Sequence, residues 1–205
     1  MSPQARRAQL LELGVQMLSD RTLDELSVEA LAERAGISRG LLFHYFRNKQ
    51  DFHRAVVQQA ANDLIETTAP DLSLDPVPRL TQSLEHYVDY VTANYRAYIS
   101  LVRGAASGDQ ALREIFDHTR AVLTARITDN VEVFGLADAA AVRLLARGWS
   151  AMVEEVVLAW AAEPEISKDE LLRVLAAALP AVLLAGSSPQ PLPMDKPAAG
   201  RPASA

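Results

Sequence analysis

Residues 26–52 read LSVEALAERAGISRGLLFHYFRNKQDF, and within that stretch two helix starts, a glycine stop and a third helix start follow at short offsets. Ser27 is a strong N-cap, Glu29 brings negative charge into the first turn, and Leu26 can staple onto Leu31. A short helix therefore opens at Val28. It stops near Ala35 and Gly36, because glycine takes the left-handed terminating conformation at little steric cost. Ile37 repeats the staple against Leu42, and Ser38 caps a second helix. Ala32 falls where the two helices cross, while Leu31, Ala35, Ile37, Leu42 and Tyr45 fill the core they share, with Phe46 beside them. A turn this short permits two steeply crossed helices, a helix-turn-helix.

Such a pair can lay its second helix in a DNA major groove, with the residues of that helix's N-terminus toward base edges. Those residues are Ser38, Arg39 and Gly40. Arg39 can donate two hydrogen bonds to a guanine edge, Gly40 lets the backbone approach closely, and His44 stands one turn further on. Asn48 caps another helix that opens with Lys49, a helix N-terminus suited to a phosphate. From Arg34 to Arg54 five basic residues stand against one acid, Asp51, so positive charge collects where a DNA backbone needs it.

Leu31-Ala32, Ala35-Gly36-Ile37-Ser38, Gly40-Leu41-Leu42-Phe43, Tyr45-Phe46 and Lys49 resemble the N-terminal domain of tetracycline-repressor-like transcription regulators. The motif spans about the first quarter of the chain; the remainder resembles the family in length and helical pattern. The resemblance implies DNA contacts from Ser27, Ser38, Arg39, Gly40, Phe43, His44, Tyr45 and Lys49. It also implies a homodimeric, ligand-responsive repressor that binds a palindromic operator in double-stranded DNA; the ligand does not carry over, and a small apolar or amphipathic effector is expected from the aromatic cluster around Tyr87, Phe116 and Trp149. Phe43 departs from the family's usual tyrosine, whose hydroxyl meets a phosphate. Arg21 departs from a common glycine between the first two helices.

The net charge of −6 over 205 residues is unevenly spread. Residues 1–54 hold eight basic and seven acidic side chains, whereas residues 55–205 hold twelve and nineteen. Only the N-terminal part can present a positive face to DNA, and the rest should point away. With no cysteine, disulfides, thiolate metal sites and thiol chemistry are excluded. The N-terminus lacks a signal-peptide core and no apolar run is long enough to span a bilayer, so a cytoplasmic location is expected.

The expected fold is all-α, with about nine helices: a three-helix helix-turn-helix domain over 1–49, a helical effector-binding and dimerisation domain over 50–185, and a disordered tail over 186–205. Residues 6–20 place Leu11, Val15 and Leu18 on one face of a first helix, with Arg6 and Arg7 at its free end. The helix capped by Asn48 continues to about Thr67 as a strut into the second domain. Asp75 and Pro76 read as the cap and first position of the next helix, striped by Leu80, Leu84, Tyr87 and Val91. Gly104 and Gly108 bracket a loop, and Asp109 caps a helix ending near Gly135. Asp138 caps a helix to Glu163. The box Ser167 to Glu170 starts a last helix, which Pro180 should kink or shorten. These last two helices, 138–163 and 167–185, are apolar enough to form the homodimer interface as half of a four-helix bundle.

Catalytic groupings are not evident. His86 and His118 lie in separate helices without a serine or carboxylate at an identifying spacing, and adjacent Glu154 and Glu155 diverge on a helix. No phosphate loop or HExxH metal pattern occurs, so a non-enzyme without cofactor or metal is expected. The aromatics Tyr87, Tyr90, Tyr98, Phe116, Trp149 and Trp160 can line a cavity between helices or form ordinary core. The candidate effector residues are Tyr87, Tyr90, Phe116, Arg120, Trp149 and Glu154, with His86 as a further polar neighbour. The alternative function is a helical small-molecule-binding or protein-interaction protein whose helix-turn-helix does not engage an operator.

Overall fold

The computed structural model describes residues 2–19, 21–106, 108–130 and 140–187, apart from the side chains of residues 103, 106, 186 and 187. Among the described residues there are nine α-helices and no strand. Ser2 caps α1 (Pro3–Met17), so this helix starts three residues before the sequence expectation and ends before residue 20. Ser27 accepts from the Ala30 amide at 3.0 Å to open α2 (Val28–Ala35). Gly36 ends α2 at φ 65°, ψ 34°, the left-handed conformation its sequence position asked for. Ser38 caps α3 (Arg39–Tyr45) through the Leu41 amide, and Asn48 caps α4 (Lys49–Thr67) through the Asp51 amide at 2.8 Å.

These four helices share a core of Leu10, Met17, Leu26, Leu31, Leu42, Phe46, Phe52 and Val56, all nearly sealed from solvent. Burying each such side chain contributes about 1.5–3 kcal/mol. The α1–α4 crossing is tight. A Cβ on Gly14 would stand 2.6 Å from Val56 Cγ2, so only glycine fits there without a shift. Arg7 lies over the Phe46 ring at 5.1 Å, which ties α1 to the helix-turn-helix.

The second core is built by α5 (Pro76–Ala93), α6 (Tyr95–Ala106), α7 (Gln110–Thr128), α8 (Ala140–Ala162) and α9 (Lys168–Ser187). It centres on Leu84, Val88, Val91, Val142, Trp149, Val153, Leu175 and Leu179. The strut α4 joins both cores, with Phe52, Val56 and Ala61 in the first and Leu64 in the second, while Leu112 and Ile115 of α7 reach into the first.

Several local expectations are corrected. Asp75 sits at the N-cap of α5 but makes no side-chain cap bond. Gly104 is inside α6 rather than at a loop edge, where a Cβ would come within 2.7 Å of Leu112 Cδ1. Close passage of α6 over α7 explains that glycine; Gly108, at φ 100°, is the turn residue. Helix α7 stops at Thr128, with Asp129 as C-cap, well before Gly135. Pro180 lies inside α9, which continues through it to Ser187. Residues 186 and 187, expected in the tail, are the last of α9, while the Asp138 cap, the Gly135 helix end and the rest of the expected 186–205 tail fall outside the described residues.

Candidate DNA-reading face and interior cavity

The exposed side of α3 carries Arg39, Gly40, Leu41, Phe43 and His44, while Leu42 turns into the core. Ser38 is exposed at the cap, and a Cβ on Gly40 would meet nothing within 4 Å, so the helix start is open to close approach. Arg39 stacks over Phe43 at 5.5 Å and pairs with Glu29 at 3.0 Å. His44 meets the Tyr45 ring edge-on at 5.6 Å, and Tyr45 is half-buried against the core. Lys49 is exposed, its Nζ 3.5 Å from the Asp24 carbonyl. Ser27 is half-buried and spends its hydroxyl oxygen on the Ala30 amide.

Away from that face, α4, α5, α6, α7 and α8, with Val15 and Leu18 at the end of α1 and Leu179 of α9, line a half-open cavity of about 180 Å³. That exceeds the roughly 150 Å³ apolar cavity known to hold a benzene molecule. Tyr87, Tyr90, Phe116, Arg120, Trp149 and Glu154 all line it, as does Tyr98. Trp160 and His86 do not; Trp160 donates instead to the Ile166 carbonyl at 2.8 Å.

A polar relay crosses the wall. The Tyr87 hydroxyl is 2.9 Å from that of Tyr98, which donates to Glu154 at 3.4 Å, and Arg120 donates to the other Glu154 oxygen at 2.7 Å. Four helices are thereby linked. Burial pushes both tyrosine hydroxyls well above the ordinary phenol range, with the Glu154 charge adding to it, so they remain protonated donors. Tyr90 is raised by burial too, and its hydroxyl donates to the Ala60 carbonyl of α4 at 2.6 Å. Arg120 also lies 4.6 Å from the Phe116 ring centroid.

Some wall and hinge residues had little signal in the sequence. Arg126 follows Phe116, Leu123 and Arg120 along one side of α7, a spacing that could have included it. It donates to the Thr68 carbonyl, the Thr68 hydroxyl and the Ile65 carbonyl at 2.8, 2.9 and 2.6 Å, capping the C-terminal end of α4 with a cation. Near the other end of α4, His53 Nε2 lies 2.7 Å from the Leu26 carbonyl. A carbonyl only accepts, so Nε2 carries the proton. Because that partner is a backbone atom 27 residues away, nothing local announced it.

Among the described residues no group of three or more histidines and carboxylates could hold a metal ion, and no helix is long and apolar enough to cross a membrane.

Residues 10–56 match the family of bacterial regulatory proteins called the tetR family, and residues 76–181 match the tetracyclin repressor-like C-terminal domain. The chain is 27% identical over 95 residues to the transcriptional activator FasR of Mycolicibacterium smegmatis, covering 45% of this chain and 43% of FasR. It is 32% identical over 88 residues to the transcriptional regulator BetI of Yersinia pestis, covering 41% and 44%. The chain thus spans less than half the length of the curated relatives it matches. A tetR-family regulator from Streptomyces coelicolor superposes with a TM-score of 0.80 at 27% identity, over 91% of this chain and 83% of that one. A transcriptional regulator from Pseudomonas aeruginosa PAO1 shares the fold at a TM-score of 0.70 and 20% identity, over 91% and 94%.

Proposed function

The chain belongs to the tetracycline-repressor family of bacterial regulators, and from that premise we propose that it is a cytoplasmic, homodimeric repressor released from a near-palindromic operator by a small molecule. One observation carries the DNA reading: Arg39, Gly40, Phe43 and His44 face solvent along one short helix, with the Lys49 helix start close by. Arg39 reads a base edge with Ser38 and Gly40 beside it, Lys49 meets a phosphate, and Phe43 and Tyr45 shape the approach. Ser27 acts through its cap, holding α2 in place behind the reading helix.

The effector reading rests on the cavity and on α4, which runs from Lys49 to the cavity wall at Thr68. Exposed Leu144, Met152, Val174 and Leu184 on α8 and α9 support the dimer, because such side chains suit a covered face better than water. FasR is an activator by name, so the sign of control needs its own measurement.

Selection of binding sites from random duplex DNA tests this reading. The expected product is an inverted repeat with half-site centres about 34–36 Å apart or a multiple of that. Absence of any enriched sequence at physiological salt would favour the alternative, a helical small-molecule-binding or protein-interaction protein. Deleting the chain should raise transcription from a promoter carrying the selected site; a fall would make it an activator.

A further inference from the structure

Buried polar atoms without a partner gather on the cavity wall. Among the described residues there are five such side-chain atoms, and four of them, Arg79 Nε, Ser83 Oγ, Arg120 Nε and Trp149 Nε1, belong to wall residues. Three are donors only, and the serine hydroxyl can donate. Folded proteins leave few buried polar groups unmatched, so this wall suits a ligand that brings acceptors.

The charges narrow the acceptor. The wall holds three arginines, Arg79, Arg120 and Arg126, against one carboxylate, Glu154. Glu154 already meets Arg120 at 2.7 Å, so that pair is neutral in itself. Arg79 and Arg126 stand apart, where α4 stops, α5 begins and α7 stops.

Arg79 donates to the Leu72 and Leu74 carbonyls at 3.3 and 2.8 Å, and Arg126 donates to Thr68 and Ile65. Every acceptor is a neutral oxygen. No carboxylate of the described residues lies within ion-pairing distance of either guanidinium; Asp71, the acid that feels the Arg79 charge, is exposed and bonded to Ser73. Burial also holds the Arg126 pKa below its ordinary value. Next to these two cations the wall is apolar, through Leu80, Leu84, Leu123 and Ile127.

We propose that the cavity takes an amphiphile with a single carboxylate head, that Arg79 and Arg126 bind this head, and that binding draws Arg126 off the last carbonyls of α4. A carboxylate accepts charge-assisted bonds roughly twice as strong as those to neutral carbonyls, so a head group that pulls the guanidinium toward the cavity works against its three bonds at the end of α4. The C-terminal end of α4 then loses the cation that complements its dipole. The other end of the same helix starts at Lys49, so the loosened end and the DNA-reading face share one rigid element. This inference rests on the ligand-responsive reading above, but its first test uses no DNA.

Isothermal titration of the full chain with decanoate, decanol and decylamine compares an anionic, a neutral and a cationic head on one tail. Decanoate should bind at least tenfold more tightly than decanol, and decylamine most weakly. Arg79→Gln and Arg126→Gln should each weaken decanoate at least tenfold more than they weaken decanol; Arg126→Lys, which keeps the charge, should fall between. Equal affinity for decanoate and decanol, preference for the amine, or no binding by any carboxylate from octanoate to hexadecanoate would overturn the proposal, and none of these needs a variant that folds. Hydrogen exchange in the last turn of α4 should quicken with decanoate and not with decanol, and unchanged exchange at decanoate saturation would remove the release step. Decanoate binding by a chain that selects no DNA sequence would refute the regulator and leave the head-group assignment standing.

Discussion

Arg39 and Glu29 face each other across the helix-turn-helix at 3.0 Å, with both side chains more than half exposed. The side chain offered to a base edge is therefore held by a carboxylate of its own protein, and DNA must replace that carboxylate before Arg39 can read guanine. An exposed pair of this kind is worth about 0.2–1 kcal/mol. Glu29→Gln should accordingly tighten operator binding by up to about fivefold. Arg39→Ala should cost about 1–3 kcal/mol and relax preference at one position per half-site. Fluorescence anisotropy with the selected site and single-base variants separates these effects, and an unchanged motif for Arg39→Ala would reject the base-reading role.

Lys49 differs in kind. Its ammonium lies at the start of α4, 3.5 Å from the Asp24 carbonyl. Lys49→Ala should weaken every DNA sequence alike and reduce the slope of log affinity against log salt by about 1. Loss confined to the operator, with non-specific binding intact, would reassign Lys49 as a sequence reader.

The proposed dimer face makes a third test. Leu144, at 68% exposure on α8, and Val174, at 48% on α9, are large apolar side chains left in water by the single chain. Leu144→Glu and Val174→Glu leave the core untouched and should convert a dimer at micromolar concentration into a monomer with little operator affinity. Sedimentation velocity reads the outcome. A wild-type chain that is already monomeric at that concentration would remove the two-fold operator with it.

The helix-turn-helix was legible because its signals are local: Ser27, Gly36, Ser38 and Asn48 each act within a few residues of themselves. The break at Asn94 was not. No glycine or proline marks it, and Asn94 separates α5 from α6 by spending its side-chain amide on the Tyr90 carbonyl at 2.9 Å. That break brings the Tyr87 and Tyr98 hydroxyls together. Of the six aromatics that suggested a cavity, Tyr87, Tyr90, Tyr98, Phe116 and Trp149 line one and Trp160 does not, while Arg126 carries its role through backbone carbonyls 58 and 61 residues away. Such partners leave no trace in composition or period.

His53 gives a pH test of the joint between the strut and the helix-turn-helix. Burial lowers its pKa below 6.5, partly opposed by its bond to the Leu26 carbonyl. The folded chain then binds fewer protons than the unfolded chain just below pH 6.5, so stability is full above that pH and falls as acid is added. His53→Gln should flatten this part of the pH profile. Thermal melts from pH 5 to 8 measure it, and an equal acid slope in wild type and variant would place the titrating group elsewhere.

The final test concerns the route from cavity to DNA. Tyr90 reaches from α5 to the Ala60 carbonyl in the middle of α4 at 2.6 Å, and its ring lines the cavity, so a ligand that displaces α5 pulls on the strut through this bond. Tyr90→Phe keeps the ring and deletes the tie. A ligand that lowers operator affinity tenfold represents a coupling of about 1.4 kcal/mol, and by reciprocity binds the DNA-bound protein tenfold more weakly. A single hydrogen bond contributes about 0.5–1.5 kcal/mol net, enough to carry a large share of that coupling. Tyr90→Phe should therefore leave unliganded operator affinity within about twofold while the tenfold response shrinks to a few-fold or less. Operator affinity titrated with and without a ligand already shown by calorimetry to bind the variant is the measurement. A full tenfold response from Tyr90→Phe would show that α5 is not the route, and would leave the Arg126 contact with the end of α4 to carry the signal alone.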